Sequence, residues 1–305
     1  MLTEEPEFQV VVNEKTLVAD GVALFDLRAP DGSDLPSWES GAHIDVVIND
    51  ELTRQYSLCG DPSEPSSWKI AVLREEDGRG GSRHLHDDIT VGATLQVRGP
   101  RNHFELRPSQ SYLFIAGGIG ITPLLPMISA AEAAGAQWTL VYVGRTRTSM
   151  AFANELEAAH PGKVKIFARD ETERPPLAEI LATPDAHLHV YTCGPSTLLE
   201  SIEAAMASWP TGALHLEHFS PKEVGEPVMS GSFDVELTKS GITVSVSPDE
   251  SILDAVREAG LRVLSSCQEG TCGTCETTVV SGEVDHRDSL LTPEEQAANE
   301  TMMIC

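Results

Sequence analysis

The chain has 305 residues, 41% of them hydrophobic and 22% charged, and a formal net charge of −26 at pH 7. This length predicts two or three globular domains. The charge argues against a nucleic-acid partner, because phosphate binding needs a basic face; it fits either a basic protein partner or a merely soluble acidic surface. No apolar run reaches the roughly 18 residues of a membrane span. The start, MLTEEPEFQV, does not look like a signal peptide, so we expect a cytoplasmic protein.

Residues 8–107 predict an antiparallel β-barrel. Six runs rich in β-branched residues are bounded by Gly, Pro, Asp or Asn, as short strands joined by turns usually are. The runs are FQVVVNEKTLV, GVALFDLRAP, GAHIDVVIND, TRQYSLCGDP, WKIAVLREE and GATLQVRGP. Several short strands at this spacing favour a small barrel, which we assign to residues 1–108.

This segment also holds a glycine-rich loop, GRGGSRHL, at 78–85. The successive backbone N–H groups of Gly80, Gly81 and Ser82 can form an anion-binding nest, and the Ser82 hydroxyl adds a donor. His84 and His86 invite a metal-binding interpretation, but the sequence offers no third ligand near them. We therefore expect both histidines to be helix or surface residues.

From residue 111, predicted strands alternate with predicted helices. The strands are SYLFI, QWTLVYVGR, KVKIFARD, HLHVYTCGP and ALHLEHF, and helices follow the first four of them. This alternation predicts an α/β domain with a parallel sheet covered on both faces. We assign it to residues 109–221, and we assign the polar residues 222–231, which carry Pro and Gly, to a linker.

Two glycine-bearing loops follow strands of this sheet: AGGIGITP at 116–123 and CGP at 193–195. Glycines after a strand and before a helix let a pyrophosphate approach the backbone. A glycine-rich turn alone can also serve tight packing, and Cys193 could be a buried core residue. Because both loops follow parallel strands, they predict one nucleotide-binding crevice.

Residues 232–305 begin with a predicted hairpin and an amphipathic helix, and they end with four cysteines. The cysteines are spaced C-x4-C-x2-C with a fourth after 29 more residues: Cys267, Cys272, Cys275 and Cys305. Structural zinc usually shows paired C-x2-C units, of which only one is present. The spacing is instead that of a plant-type [2Fe–2S] site. Gly270 and Gly273 let amide N–H groups approach the sulfurs, and Thr271 and Thr274 can add hydroxyl donors.

This C-terminal segment resembles a plant-type ferredoxin domain, which implies an α+β, β-grasp fold and one-electron transfer at low potential. Ferredoxin relatives usually continue for a short strand beyond the fourth cysteine, whereas the printed sequence stops on Cys305. We expect the tail to have been trimmed or left out, or else the terminal carboxylate to lie beside a labile cluster.

The two glycine loops together resemble the nucleotide domain of the ferredoxin–NADP reductase superfamily, and RQYSL at 54–58 resembles its flavin signature R-x-Y-[ST]. The resemblance implies that Arg54 meets the flavin phosphate, that Tyr56 packs on the flavin, and that Ser57 hydrogen-bonds the isoalloxazine ring. It also implies that Cys193 lies against the nicotinamide and that Phe219 covers the flavin, although Phe219 could be a core residue. Ser57 and Cys193 are the expected catalytic residues. Further expected cofactor contacts are Gln55, Gly80, Gly81, Ser82, Gly117, Gly118, Gly120, Thr122, Arg145, Gly194 and Pro195.

The domain order resembles the phthalate dioxygenase reductase and vanillate O-demethylase reductase family along nearly the whole chain. The resemblance implies FMN rather than FAD, because the ferredoxin domain comes last, and it favours NADH. Arg145 and Arg147 leave NADPH open, since arginine can serve a 2′-phosphate. A flavin is needed because a hydride carries two electrons and the cluster accepts one.

Oxygen chemistry needs a separate protein, because the sequence has neither a Rieske C-x-H…C-x2-H pattern nor a haem-thiolate loop. The resemblance implies a Rieske non-haem iron oxygenase that docks near the cluster loop of a monomeric reductase. Two alternatives stay open: a cytochrome P450 partner, and a stand-alone flavin quinone or dye reductase.

Overall fold

A computed structural model describes the chain apart from residues 1–6, 50, 51, 223, 224, 226 and 229. Part of the predicted linker and the start of the chain therefore lie outside the described residues. The chain forms two compact units, one ending at Phe219 and the other beginning at Ser220. In the described part, no helix is long and apolar enough to cross a bilayer.

The first unit begins with the predicted antiparallel barrel. Its six strands are β1 Glu7–Ala19, β2 Val22–Arg28, β3 Ala42–Asn49, β4 Leu52–Ser57, β5 Trp68–Leu73 and β6 Thr94–Asn102. They are ordered β4-β3-β6-β1-β2-β5, with antiparallel neighbours. A bridge between Leu58 and Ile70 links the two outer strands, so the sheet closes. Helix α1, Gly81–Asp87, follows β5.

The barrel closes around a continuous apolar core. Alternate residues of β1 point inward, so that Val10 and Val12 are fully buried beside Phe25 and Trp68. Each large apolar side chain that is fully buried contributes about 1.5–3 kcal/mol. This packing stabilises the barrel, which holds the loops at its rim in place.

The second half of this unit is the predicted α/β domain. Its strands are β7 Ser111–Gly117, β8 Gln137–Gly144, β9 Val164–Ala168, β10 Leu188–Cys193 and β11 Leu214–Glu217. Its helices are α2 Leu124–Ala133, α3 Ala153–Ala159, α4 Leu177–Ile180 and α5 Ser196–Ala205. The sheet is parallel and ordered β11-β10-β7-β8-β9. Apolar clusters lie on both of its faces, one containing residues of α2 and α3 and the other residues of α4 and α5.

The strand order creates a switch point between β7 and β10. The chain runs from β7 outward through β8 and β9, then returns to the other side of β7 as β10. Connections leave the carboxyl ends of β7 and β10 toward opposite faces of the sheet, and such a switch point is where sheets of this kind bind ligands.

The glycine-rich segment after β7 forms a turn that leads into a helix. As expected, the glycines form a turn between the strand and the helix: residues Gly118–Ile121 form a 3₁₀ turn and α2 begins at Leu124. The Thr122 hydroxyl donates to the Ile119 carbonyl at 3.0 Å. Pro123, with φ −68°, then sets the entry to α2.

The second unit contains the predicted hairpin and helix. Its elements are β12 Phe233–Leu237, β13 Ile242–Val246, α6 Ile252–Glu258, β14 Glu276–Thr278, α7 Pro293–Ala298 and β15 Thr301–Met303. β12 pairs with β13 and β14 with β15, both antiparallel. Ser251 caps α6 by accepting from the Asp254 amide at 3.1 Å. The Leu253 amide donates to the Ile304 carbonyl at 2.8 Å, so α6 is joined to the segment that carries Cys305.

Candidate functional site

The structure brings the two flavin motifs of the barrel together. Arg54 on β4 packs over Gly81, since a β-carbon built on Gly81 would lie only 2.6 Å from Arg54 Cγ. Gly80 has φ 98°, in the left-handed region, and Gly81 then begins α1. This left-handed-then-helical sequence is the backbone form of an anion nest. The guanidinium-bearing strand and the predicted nest are therefore neighbours, and the residues fit a flavin phosphate.

Ser82 and the two histidines of α1 are engaged with the protein. Ser82 Oγ accepts from the Glu75 amide at 3.1 Å, which leaves its hydroxyl hydrogen to donate elsewhere. His84 Nδ1 lies 2.8 Å from Asp88 Oδ2, and His86 Nε2 lies 2.8 Å from the Val72 carbonyl. Both histidines are thus helix residues, as expected.

The strand β4 presents different chemistry on its two faces. Burial raises the pKa of Tyr56, so its phenol stays neutral. On the other face, Gln55 Nε2 donates at 3.1 Å to Asp45 Oδ1, which also receives Arg101 Nη2 at 2.5 Å. Ser57 is only 5% exposed, and its hydroxyl lies beside the Glu217 carboxyl without forming a hydrogen bond of good geometry. A buried hydroxyl in this state suits a ligand that supplies a better partner.

The two nucleotide loops meet at the switch point. A β-carbon on Gly120 would lie 2.2 Å from the Cys193 carbonyl oxygen, and one on Gly117 would lie 2.7 Å from Pro195 Cδ. A β-carbon on Gly194 would lie 2.9 Å from the Gly117 Cα. These approaches require glycine, which leaves backbone rather than side chains lining this part of the crevice.

Cys193 lies beside Glu217, a half-buried residue with one buried carboxyl oxygen, which the sequence analysis did not single out. Burial raises the pKa of the Cys193 thiol well above its usual value, and the neighbouring Glu217 adds to the shift. Burial likewise raises the pKa of Glu217 to about 8, while contacts with Cys193 and Ser57 oppose the shift. Ser57 from the barrel, Cys193 from β10 and Glu217 from β11 therefore form one group. Burial favours the neutral forms of the thiol and of the carboxyl in this group.

Phe219 and Arg145 are accessible, as cofactor contacts would need to be. Phe219 is 42% exposed at the end of the first unit, which disfavours the core alternative. Arg145, in the loop after β8, is also exposed.

Arg147 is already committed to protein contacts. Its Nε donates to Asn154 Oδ1 at 2.9 Å and its Nη2 pairs with Glu157. Its backbone N–H donates to Asp170 Oδ1 at 3.2 Å, which places an acidic side chain beside the loop after β8. The pairing of Arg147 and the nearby Asp170 carboxylate both disfavour binding of a 2′-phosphate at the loop after β8. Asp170 was not singled out from the sequence.

The four predicted cluster ligands converge in the second unit. Cys267, Cys272 and Cys275 are 6%, 1% and 2% exposed, and Cys305 is half-buried. Cys275 Sγ and Cys305 Sγ are 3.2 Å apart. Hydrogen bonds from the thiols of Cys272 and Cys305 lower the pKa of Cys267.

Backbone donors surround these sulfurs. The amides of Glu269 and Thr271 point at Cys267 Sγ at 3.3 and 3.5 Å, and the Gly270 amide points at Cys305 Sγ at 3.2 Å. The Thr274 amide donates to Cys272 Sγ at 3.4 Å. In the described residues, no three His, Cys, Asp or Glu side chains are arranged to hold a single metal ion. Close sulfurs ringed by N–H donors fit a binuclear iron–sulfur cluster.

Comparisons with known proteins agree with this geometry. The chain matches the oxidoreductase FAD-binding domain at residues 9–106, the oxidoreductase NAD-binding domain at 114–204 and the 2Fe-2S iron-sulfur cluster binding domain at 235–305. It is 46% identical over 289 residues to phenoxybenzoate dioxygenase subunit beta of Ectopseudomonas oleovorans. The matched residues make up 94% of this chain and 90% of that protein.

Two solved structures are similar over 98% of this chain. One is phthalate dioxygenase reductase, with a TM-score of 0.74, 34% identity and 94% of its chain covered. The other is an intact type IV self-sufficient cytochrome P450 monooxygenase, with a TM-score of 0.92 and 46% identity. The present chain spans only 39% of that P450 chain.

Proposed function

Since the chain belongs to the phthalate dioxygenase reductase family, we propose that it carries electrons from NADH to the terminal oxygenase of a multicomponent oxygenase system. It is an oxidoreductase with flavin-binding, NAD-binding and 2Fe-2S domains. A bound flavin accepts a hydride and releases electrons singly, and the cluster takes them one at a time. The observation that carries the proposal is the grouping of Ser57, Cys193 and Glu217 at a glycine-lined crevice, in one chain with four clustered cysteines.

Some residues of the first unit bind the flavin phosphate, and others position the flavin ring or the nucleotide. Arg54 and the nest formed by Gly80, Gly81 and Ser82 hold the flavin phosphate. The Ser57 hydroxyl hydrogen-bonds the flavin ring, Tyr56 packs on it and Phe219 covers it. The loops 117–120 and 193–195 receive the nucleotide. We propose domain boundaries at 1–108, 109–221 and 232–305, with a linker at 222–231.

We propose FMN as the flavin, because the phosphate would end at the nest and the ferredoxin domain follows the flavin and nucleotide domains. NADH is favoured over NADPH by Arg147, which is paired with Glu157, and by Asp170 beside the same loop. Heat release and chromatography identify the flavin. Stoichiometric FMN is the expected result, and stoichiometric FAD would overturn the choice of FMN but leave the reductase assignment intact.

The terminal partner we propose is a separate Rieske non-haem iron oxygenase that acts on an aromatic or similar small substrate. The similar protein from Ectopseudomonas oleovorans is named as a subunit of a dioxygenase. A cytochrome P450 is the second candidate, because a chain closely similar to this one forms part of a self-sufficient P450. A monomeric state and a cytoplasmic location stay predictions.

Reconstitution tests the function and distinguishes the partners. The purified protein is mixed with NADH and either a Rieske oxygenase or a P450, and reduction of the partner is followed by absorbance. Cys272→Ser is the control, since it should remove the cluster yet leave flavin bleaching by NADH near its normal rate. Transfer to either partner that survives in Cys272→Ser would contradict the proposed route, and faster transfer to the P450 would favour the second candidate.

A further inference from the structure

The second unit buries an aspartate beside the cysteine loop. The Asp288 side chain is only 2% exposed, and the nearby His286 side chain is 8% exposed. Carboxylates are rarely buried so completely unless they are held by several donors. These two residues lie well away from the four cysteines in sequence, and none of the roles described above uses them.

One oxygen of Asp288 fixes a tight turn. Asp288 Oδ1 accepts from the Leu290 amide at 2.9 Å and from the Leu291 amide at 2.7 Å. Both leucines pack in the apolar cluster that contains Cys275 and Cys305. The carboxylate therefore sets the course of the chain that covers this side of the sulfurs.

The same turn supports the cysteine loop. The Ser289 amide donates to the Gly270 carbonyl at 2.9 Å. Gly270 has φ 67°, and a β-carbon on it would lie 3.0 Å from the Asp288 Cα. On its other side, the Gly270 amide points at Cys305 Sγ at 3.2 Å. Contacts thus run without a gap from the buried carboxylate, through Gly270, to one sulfur.

From this chain of contacts we propose that Asp288 is a positioning residue that raises the reduction potential of the [2Fe–2S] cluster by holding the Gly270 N–H against Cys305. The inference rests on the proposed function. A donor aimed at a ligand sulfur stabilises the more negative, reduced cluster. If the turn is released, this donor is no longer held in place, and the reduced state loses stabilisation.

The negative charge of Asp288 and its positioning of the Gly270 N–H predict opposite changes in the reduction potential when Asp288 is replaced. A measured potential therefore distinguishes the two effects. Removal of a buried negative charge by itself favours reduction and raises the potential. Loss of the positioned N–H lowers it. Asp288→Asn keeps an oxygen that can accept from Leu290 and Leu291, whereas Asp288→Ala keeps none. Asp285→Asn is the matched control, because Asp285 is an acid in the same segment whose side chain accepts from the Val228 amide and from Arg287 instead.

The experiment is a redox titration of the full-length, cluster-loaded protein, followed by electron paramagnetic resonance. We expect Asp288→Ala to shift the equilibrium about tenfold against the reduced cluster, or ~59 mV for a one-electron couple, and to alter the resonance spectrum. Asp288→Asn and Asp285→Asn should stay at or slightly above the wild-type potential. If Asp288→Ala does not load its cluster, Gly270→Ala perturbs the same contact and should also lower the potential.

Two results would overturn the assignment. A raised potential in Asp288→Ala would mean that only its charge matters, and an unchanged potential with a lowered melting temperature would mean that it only stabilises the fold. Absence of iron and acid-labile sulfide from the wild type would overturn the proposed function as well.

Discussion

Arg54 Cγ and Gly81 are in such close contact that a single methyl group on Gly81 would approach within 2.6 Å of the arginine side chain. Because one residue belongs to β4 and the other begins α1, this contact fixes the guanidinium relative to the nest. The separation of the two proposed phosphate-binding elements therefore depends on one missing β-carbon.

Gly81→Ala should weaken flavin binding by roughly tenfold, or about 1.4 kcal/mol, because Arg54 must move away from the nest. The dissociation constant of the flavin, measured by fluorescence quenching, checks this. Gly78→Ala is the control in the same loop, since its β-carbon would meet mainly the movable Glu75 side chain. Equal flavin affinity in both variants would contradict the assigned role of this contact.

Glu217 should make the stability of the first unit depend on pH. Its pKa is raised from 4.5 to about 8 by burial, so the folded protein keeps a proton that the unfolded chain loses as pH rises past 4.5. The free energy of unfolding therefore falls by about 1.4 kcal/mol per pH unit as pH rises from 4.5 to about 8, and this contribution levels off above pH 8.

Glu217→Gln removes this pH dependence. The melting temperature of the variant minus that of the wild type should therefore rise between about pH 5 and 8 and stay constant above pH 8. Calorimetry of both proteins at several pH values provides the measurement. Parallel curves across the window would show that Glu217 is ionised in the folded protein.

Asp170→Asn should raise kcat/KM for NADPH by about tenfold, a change of ~1.4 kcal/mol, and leave that for NADH nearly unchanged. The reason is that a carboxylate beside the loop after β8 repels a 2′-phosphate. Steady-state rates with a dye acceptor give both constants. Glu171→Gln removes the same charge from the next residue, and an equal gain there would point to the general field instead.

Glu269→Gln with Glu276→Gln should make electron transfer to the oxygenase less sensitive to salt. Glu276 is exposed and Glu269 half-buried, and both lie in or beside the cysteine loop. Residues 232–305 contain 14 acidic and 4 basic residues, a net charge of −10. Charge of this kind steers encounter with a basic partner, over a Debye length of about 8 Å at physiological ionic strength.

Transfer rates measured against salt concentration test this docking role. Asp234→Asn with Glu236→Gln removes two exposed acids from β12 instead, and its salt dependence should resemble that of the wild type. If both double variants respond to salt alike, docking is not centred on the cysteine loop.

Local patterns accounted for most of the architecture. Alternation such as Val10 and Val12 marks the barrel strands, and the cysteine and glycine motifs are short enough to carry their own chemistry. Each of these signals lies in consecutive residues, so no long-range contact is needed to find it. The turn at Gly118–Ile121 follows from its glycines, although the sequence does not specify that it is a 3₁₀ turn.

Glu217 could not be found in this way. In LHLEHF it alternates with leucines on β11, which is an edge strand, and a polar residue there usually faces water. Its contacts are with Ser57 and Cys193, which are distant in sequence. Asp288 is hidden for the same reason, because a polar turn residue looks solvated until the cysteine loop packs on it.

The contact of Gly194 with Gly117 limits how the nucleotide crevice can be redesigned. The two loops meet backbone to backbone, so a side chain added to either one has to displace the other. Libraries that seek activity with altered nicotinamides often randomise one loop. Here, randomising only one of these loops would mostly distort the carboxyl ends of β7 and β10. Useful changes should come from paired libraries, or from exposed positions such as Arg145.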